Sequence, residues 1–323
     1  MEGVGVLRGM VLSTVGLLLA GIMVILGGSS PVEGSSEVAV LNPGGPALIP
    51  VAGILGGQVS GDLPLRVSVW RTQEEALGRL QGDPRLYAVL PLPLGVALGS
   101  RSDLVLLAVH EWRVFSLVVS PSLPFEGLAS LKGKELYMAQ GRGTTLDALV
   151  RFLLLREGVD PDRDLRLIYA PPQEIVALFR QGSLEAAALP EPFTTLCLAP
   201  GKGRVALDLQ EAWQQATGGR VPVAGLFAHR DRLREAPEEG VEVCRIMALS
   251  TAWGIRHPSE ACAVLKKLFD TPEEPFLLGW DRMTFSWEPT DRCSRDVEIF
   301  FQTLHRTLPG DFSPLPSGVI SLP

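Results

Sequence analysis

The sequence predicts an α/β chain built on mostly parallel sheet, and three observations carry that expectation. Strand-like and helix-like runs alternate from residue 37 to residue 229. The strand-like runs are continuously apolar, as in sheets covered on both faces. Short turns separate them, in a chain of 323 residues with 34 Gly and 26 Pro; such punctuation suits βαβ units.

Each element can be justified in order. Glu37–Leu41 reads as a strand, and Asn42-Pro43-Gly44-Gly45-Pro46 as a turn that leads into a helix over Ala47–Leu55. Leu65–Trp70 is the next strand. Thr72 and Glu75 have the spacing of a capping box that opens a helix to Gln81. Tyr87–Leu90 is a short strand and Leu92–Leu98 a short helix, followed by apolar strands at Leu104–Val109 and Val114–Ser120. Strand Glu135–Ala139 then ends in Gln140-Gly141-Arg142-Gly143-Thr144-Thr145, which opens an amphipathic helix over 144–157. Strand 165–169, helix 172–181, strand 186–189 and a helix from about Pro192 follow. Arg204–Leu207 and Val221–His229 are further strands. From Val241 the pattern is helical, through Val241–Arg256, Pro258–Phe269 and Asp291–Thr307, with no new strand expected.

Ligands of such sheets bind beyond the carboxyl ends of the strands. Segments 42–46, 70–72, 91–93, 140–145 and 190–193 all fall at such ends, and their convergence counts for more than any one of them. Gly141 and Gly143 let the backbone approach a guest closely. The helix start at Thr144 and Thr145 offers free N–H groups and a partial positive charge of about half an elementary charge. With Arg142 it reads as a seat for a small anion.

Net charge is −7 and no Lys/Arg cluster is present, which argues against a nucleic-acid surface. Gly141…Leu146 lacks the third glycine of a dinucleotide loop. Gly133-Lys134-Glu135 has no Ser or Thr after the lysine of a phosphate loop, and His110-Glu111-Trp112-Arg113-Val114 lacks a second zinc-binding histidine. No G-x-S-x-G elbow occurs. The four histidines, His110, His229, His257 and His305, are widely spaced. No enzyme, cofactor or metal site is expected.

Met10–Leu26 is apolar apart from Ser13 and Thr14, and residues 27–36 form a spacer. Residues 1–36 are therefore expected to be a signal peptide or an N-terminal membrane anchor, placing the remainder outside the cytoplasm. Of Cys197, Cys244, Cys262 and Cys293, one disulfide between Cys262 and Cys293 is the pairing expected if any forms; the alternative is four thiols.

The middle of the chain resembles the solute-binding proteins of ABC importers for nitrate, sulfonates, taurine and thiamine precursors. The likeness rests on Leu131-Lys132-Gly133-Lys134 before a strand and on Gly141…Gly143-Thr144-Thr145 opening a helix. It continues through Gly158-Val159-Asp160-Pro161, Pro172…Ala177-Leu178, Gly182 with Glu185-Ala186-Ala187, and Glu191-Pro192-Phe193. It covers about Glu37 to His229 well and the C-terminal helices loosely.

The resemblance implies a two-lobed clamshell of the type 2 periplasmic-binding-protein kind, each lobe a mixed sheet flanked by helices. Lobe 1 would comprise 37–115 with 222–323, and lobe 2 would comprise 116–221. The crossings would lie near Phe115–Ser120 and Val221–Gly225, and the C-terminal helices would pack on lobe 1. A small organic or inorganic anion would sit between the lobes of a monomer, and a membrane permease would be the partner. A membrane-anchored ligand sensor and a thiamine-pyrimidine-synthase-like enzyme are the competing readings; the enzymes of that fold carry histidine and cysteine clusters that this chain lacks.

The implied site residues each have an alternative role. Arg142 pairs with an anionic ligand or with an internal carboxylate. Thr144 and Thr145 donate to the ligand or cap the helix. Asn42, Gly44 and Gly45 line the first-lobe side or merely turn the chain. Pro91 stands where the family often has a polar residue, and Leu92 departs from that pattern toward a less polar pocket. Trp112 stacks on a ligand or packs in the core. Glu191 accepts a ligand amine, favours its helix start, or pairs with Arg142.

Overall fold

A computed structural model describes residues 37–198, 200–269 and 272–320. The apolar Met10–Leu26 segment and its spacer lie outside these residues. Among the described residues, no helix is long and apolar enough to cross a membrane.

Strand β1 (Val38–Pro43) leads through Gly45–Val51 into the short helix α1 (Ala52–Leu55). The single helix expected over 47–55 is a 3-10 turn for most of its length, because Pro50 sits inside it and lacks the N–H that an α-helix needs. There follow β2 (Leu65–Trp70), α2 (Gln73–Gly82), β3 (Tyr87–Pro91), α3 (Leu92–Ser102) and β4 (Leu104–Arg113). Thr72 caps α2 as its spacing predicts, Oγ1 accepting from Glu75 N at 3.2 Å, while Glu75 reaches back to Arg71 N at 2.9 Å.

The chain then lays down β5 (Phe115–Val119), β6 (Glu135–Met138), α4 (Thr145–Arg156), β7 (Arg166–Tyr169), α5 (Pro172–Gln181), β8 (Ala186–Pro190), α6 (Phe193–Cys197), β9 (Arg204–Asp208) and α7 (Leu209–Thr217). It finishes with β10 (Ala224–His229), α8 (Arg230–Glu235), α9 (Pro237–Arg256), α10 (Pro258–Phe269), α11 (Glu273–Leu278), β11 (Thr284–Pro289) and α12 (Thr290–Thr307).

Two mixed sheets result, each flanked by helices. One runs β11-β4-β10-β3-β1-β2 and the other β7-β6-β8-β5-β9. The expectation of mostly parallel sheet is corrected. β1, β2 and β3 are parallel, as are β6, β7 and β8, but β10 runs antiparallel to both β3 and β4, and β5 antiparallel to both β8 and β9. The cause is topological: β5 enters directly from β4 of the other sheet and β10 returns by way of α7, so neither is joined to its new neighbours by the βαβ crossover that makes strands parallel. A second correction concerns the C-terminal part, which does add a strand. β11 pairs antiparallel with β4 at the sheet edge, with register shifts on both sides of Phe285.

The passage from the first sheet to the second takes one residue, Val114, between Arg113 and Phe115. That is earlier than the 115–120 stretch expected, which is itself a strand of the second sheet. The return runs through α7 and residues 218–223. Val223 N donates to Glu111 O at 2.9 Å, and Glu191 N to Val114 O at 2.9 Å, so both passages and the end of β8 meet at one place. Aromatic side chains tie α4, α7 and α12: fully buried Trp213 packs on Phe152 at 4.6 Å and on Phe300 at 5.2 Å between ring centroids.

Of the two alternatives for the cysteines, a Cys262–Cys293 disulfide or four thiols, the second holds. All four cysteines are free thiols, and burial pushes Cys262 up to about 11 and Cys293 up to about 12. Cys262 lies in α10, whereas Cys293 lies in α12 with Sγ against Glu288 O at 3.4 Å.

Candidate functional site

Loops from both sheets enclose a cavity of about 1080 Å³, near the upper end of the usual range for small-molecule sites. Pro43, Gly44, Gly45 and Pro46 reach it from the end of β1, Trp70 and Arg71 from β2, and Pro91 from β3. From the other sheet come Ala139, Gln140, Gly141, Thr144 and Thr145 after β6, Pro190 and Phe193 after β8, and Gln173 at the start of α5. All five strand-end segments named from the sequence thus face one space.

The predicted residues divide into two groups. Gly44, Gly45, Pro91, Gly141, Thr144 and Thr145 line this cavity; Asn42, Trp112, Arg142, Gly143 and Glu191 do not. Gly45 adopts φ of 80°, a conformation that favours glycine and lets the turn present its backbone to the cavity. Asn42 is buried beneath that turn and holds it, Nδ2 donating to Pro43 O at 2.8 Å and Ala47 O at 3.0 Å. Leu92 is fully buried in the core.

Trp112 is a core residue with a cation partner. Its Nε1 donates to Ser286 O at 3.0 Å, and the Arg220 guanidinium lies 3.9 Å from the ring centroid. Glu191 is sealed from solvent. It accepts from Arg282 Nε at 2.5 Å, Thr195 N at 3.1 Å and Thr195 Oγ1 at 2.8 Å, which uses its carboxylate inside the protein.

The Gly141–Thr145 turn forms as expected, but its charges are already answered. Arg142 makes a two-pronged pair with Asp311, at 2.9 and 3.1 Å, and a longer contact with Asp162 at 3.4 Å. That pairing holds its guanidinium above the ordinary range. Arg142 and Gly143 line a neighbouring cavity of about 380 Å³ together with Asp311 and Phe312.

The start of α4 is occupied too. Asp147 is fully buried, its Oδ2 accepting from Gly143 N at 2.8 Å and its Oδ1 from Tyr169 OH at 2.6 Å. A carboxylate of the chain thus stands where a bound anion would meet the helix dipole. Burial nonetheless raises the Asp147 carboxyl above its usual range.

Thr144 is the N-cap, Oγ1 donating to Gly141 O at 2.7 Å and accepting from Asp147 N at 3.4 Å. Thr144→Ala should cost about 1 kcal/mol, read as a lower urea midpoint at unchanged slope. Thr145 lines the cavity too, but its Oγ1 is sealed beneath the surface and has no hydrogen-bond partner.

One functional candidate escaped the sequence reading. Glu111, near the end of β4, lines the cavity and is 4% exposed. No described residue gives its carboxyl a hydrogen bond or an ion pair, and burial pushes it up to about 8. The sequence drew attention to it only as part of a failed zinc motif. Period-2 alternation along β4 was the available signal, but it separates Glu111 and Val109 from His110 and Trp112 without saying which pair faces the cavity. His110, its neighbour, is fully buried with both ring nitrogens unpartnered, and burial pushes it down to about 3. Arg71, Lys266 and Lys267 are exposed and border the same cavity. Among the described residues, no group of His, Cys, Asp and Glu could hold a metal ion.

The model of the NMT1-like family matches residues 88–270. In three dimensions the chain is similar to an ABC transporter protein of Parabacteroides distasonis. The TM-score is 0.68 at 21% identity, over 88% of this chain and 98% of the other. It is also similar to the periplasmic aliphatic sulphonate binding protein SsuA of Escherichia coli, with a TM-score of 0.69 at 16% identity over 85% and 92% of the two chains. These likenesses speak for the fold. A stretch of 123 residues, 38% of this chain, is 25% identical to the bicarbonate transport ATP-binding protein CmpC of Synechocystis sp. (strain ATCC 27184 / PCC 6803 / Kazusa). That stretch spans 14% of the length of the curated relative.

Proposed function

The chain belongs to the NMT1-like family, and from that premise we propose that it is the extracytoplasmic solute-binding component of an ABC importer. The observation that carries the reading is the convergence of five strand-end segments, drawn from two sheets, on one cavity. Residues 37–114 with 222–320 form one lobe and 115–221 the other, one residue earlier than the boundary expected at 115/116. The solute binds between them, and its differential affinity for the closed arrangement draws the lobes together. The closed form then presents a surface to a membrane permease. No bond of the solute is made or broken.

Gly44, Gly45, Pro91, Gly141, Thr144 and Thr145 are the contact residues in this reading. Arg142 joins the turn after β6 to Asp311 in the C-terminal segment rather than meeting the solute. The exposed Arg71, Lys266 and Lys267 favour a solute with an acidic group at the mouth; sulfonate-, nitrate-, bicarbonate- and thiamine-precursor-like molecules are the classes to try.

A thermal-shift screen of the purified chain against sulfonates, nitrate, bicarbonate, pyrimidines and amino acids tests the reading. A saturable rise in Tm with one class is expected; turnover of that solute by the chain alone would sink it. Affinity for the solute found is measured by calorimetric titration. Arg142→Ala should leave the affinity within about twofold.

A further inference from the structure

We infer that the cleft receives its solute with a basic or N–H-bearing nitrogen directed at Glu111, so that amino-substituted solutes, not simple oxyanions, are what the inner end of this site selects. The inference rests on the solute-binding reading and narrows it.

The positive features expected at the turn after β6 are taken up by the protein itself. Arg142 is held by Asp311, and the α4 start by Asp147. The cations that border the cavity, Arg71, Lys266 and Lys267, are exposed, and Lys266 lies 3.5 Å from Glu273. What remains unanswered is Glu111, more than nine-tenths buried, without a partner among the described residues, and lining the cavity. Buried carboxyl groups are normally hydrogen-bonded, and an orphan is costly to leave so.

A buried carboxyl that faces the cavity is the acceptor an ammonium, amidinium or amino-heterocycle needs, and a cation beside it draws off the proton that burial holds on it in the empty site. A simple oxyanion could at most accept the single proton of that carboxyl, and would find its cations only in Arg71 and Lys267 at the border. The apolar lining, Val69, Trp70, Val114, Phe115 and Phe193, keeps water away and strengthens any such charge-assisted bond. A solute with a basic nitrogen at its inner end and an acidic group at its outer end would answer both Glu111 and the basic mouth.

Matched pairs decide the matter by calorimetric titration. 2-Aminoethanesulfonate is set against 2-hydroxyethanesulfonate, 4-aminopyrimidine against pyrimidine, and amino acids against their 2-hydroxy counterparts; nitrate and bicarbonate are added alone. Expected is an amino member that binds at least tenfold more tightly than its partner, with that preference abolished in Glu111→Gln and retained, at reduced affinity, in Glu111→Asp. If the hydroxy or unsubstituted members, or the oxyanions, bind as tightly as any amino compound, or if Glu111→Gln leaves the amino preference within twofold, the inference is overturned while the solute-binding reading stands. If no member binds, the solute-binding reading falls and this inference falls with it.

Discussion

Glu111→Gln should stabilise the unliganded protein at neutral and alkaline pH and leave it unchanged in acid. The folded protein holds the Glu111 carboxyl protonated up to about pH 8, whereas the unfolded chain ionises it near 4.5. Between those values the unfolded state binds fewer protons than the folded one. Stability therefore falls as pH rises through that window, and the slope is about 1.4 kcal/mol per pH unit for one group. Glutamine has the same shape and does not titrate. The variant should match the parent below pH 4.5, exceed it by about 3 kcal/mol at pH 7, and gain no more above pH 8. Urea unfolding of both chains between pH 4 and pH 8.5 measures the difference directly. A gap that does not depend on pH would mean that the carboxyl is partnered in solution. With a bound amine the comparison should invert, because the parent then gains a charge-assisted bond that glutamine lacks.

The second large effect belongs to Glu191 and Arg282. Glu191 is fully buried, and Arg282 is its cationic partner, with the side chain 24% exposed. Removal of one member of a buried pair leaves the other charge uncompensated, a loss of about 3–5 kcal/mol. Arg282→Ala should fall near the lower end, about 3 kcal/mol, because Thr195 N and Oγ1 still donate to Glu191 and water reaches part of the vacated site. Arg282→Lys keeps the charge and loses the fork, so its cost should be roughly half of that. The double variant Glu191→Gln with Arg282→Met removes both charges and should recover most of the loss. A denaturant series on the three chains checks this; a loss below 1 kcal/mol in Arg282→Ala would show that Glu191 is not a buried anion.

Much of the fold was legible because its signals are local. Thr72 and Glu75 marked the start of α2, the Gly-rich turn marked the start of α4, and apolar runs marked most strands. β11 was missed although Thr284-Phe285-Ser286-Trp287-Glu288 alternates polar and apolar residues: the run is short, ends in Pro289, and stands between segments of helical pattern. The direction of β5 and β10 was hidden as well, because it is set by the passage between sheets and not by their own residues.

For the site, the loops were legible and the charges were not. Arg142 reads as free until Asp311, 169 residues away, is brought beside it. Glu191 finds Arg282 at a separation of 91. Glu111 is the converse case: nothing in His110-Glu111-Trp112 says that its carboxyl is left without a partner, since that is a statement about what the rest of the chain fails to supply.

The single-residue passage at Val114 has a mechanical consequence. Glu111 stands three residues before it, roughly 10 Å along the strand, and is hydrogen-bonded through its own carbonyl to the returning segment. In the proposed clamshell it is mounted close to the axle. A group so near the rotation axis has a short lever arm: it exerts little torque and hardly moves as the lobes turn. The cavity-lining loops farther from Val114 would have the longer arms, and identity and closure would then be read at different radii. Substitutions near the axle should change which solute is held, and those at the tips should change how firmly the lobes shut upon it.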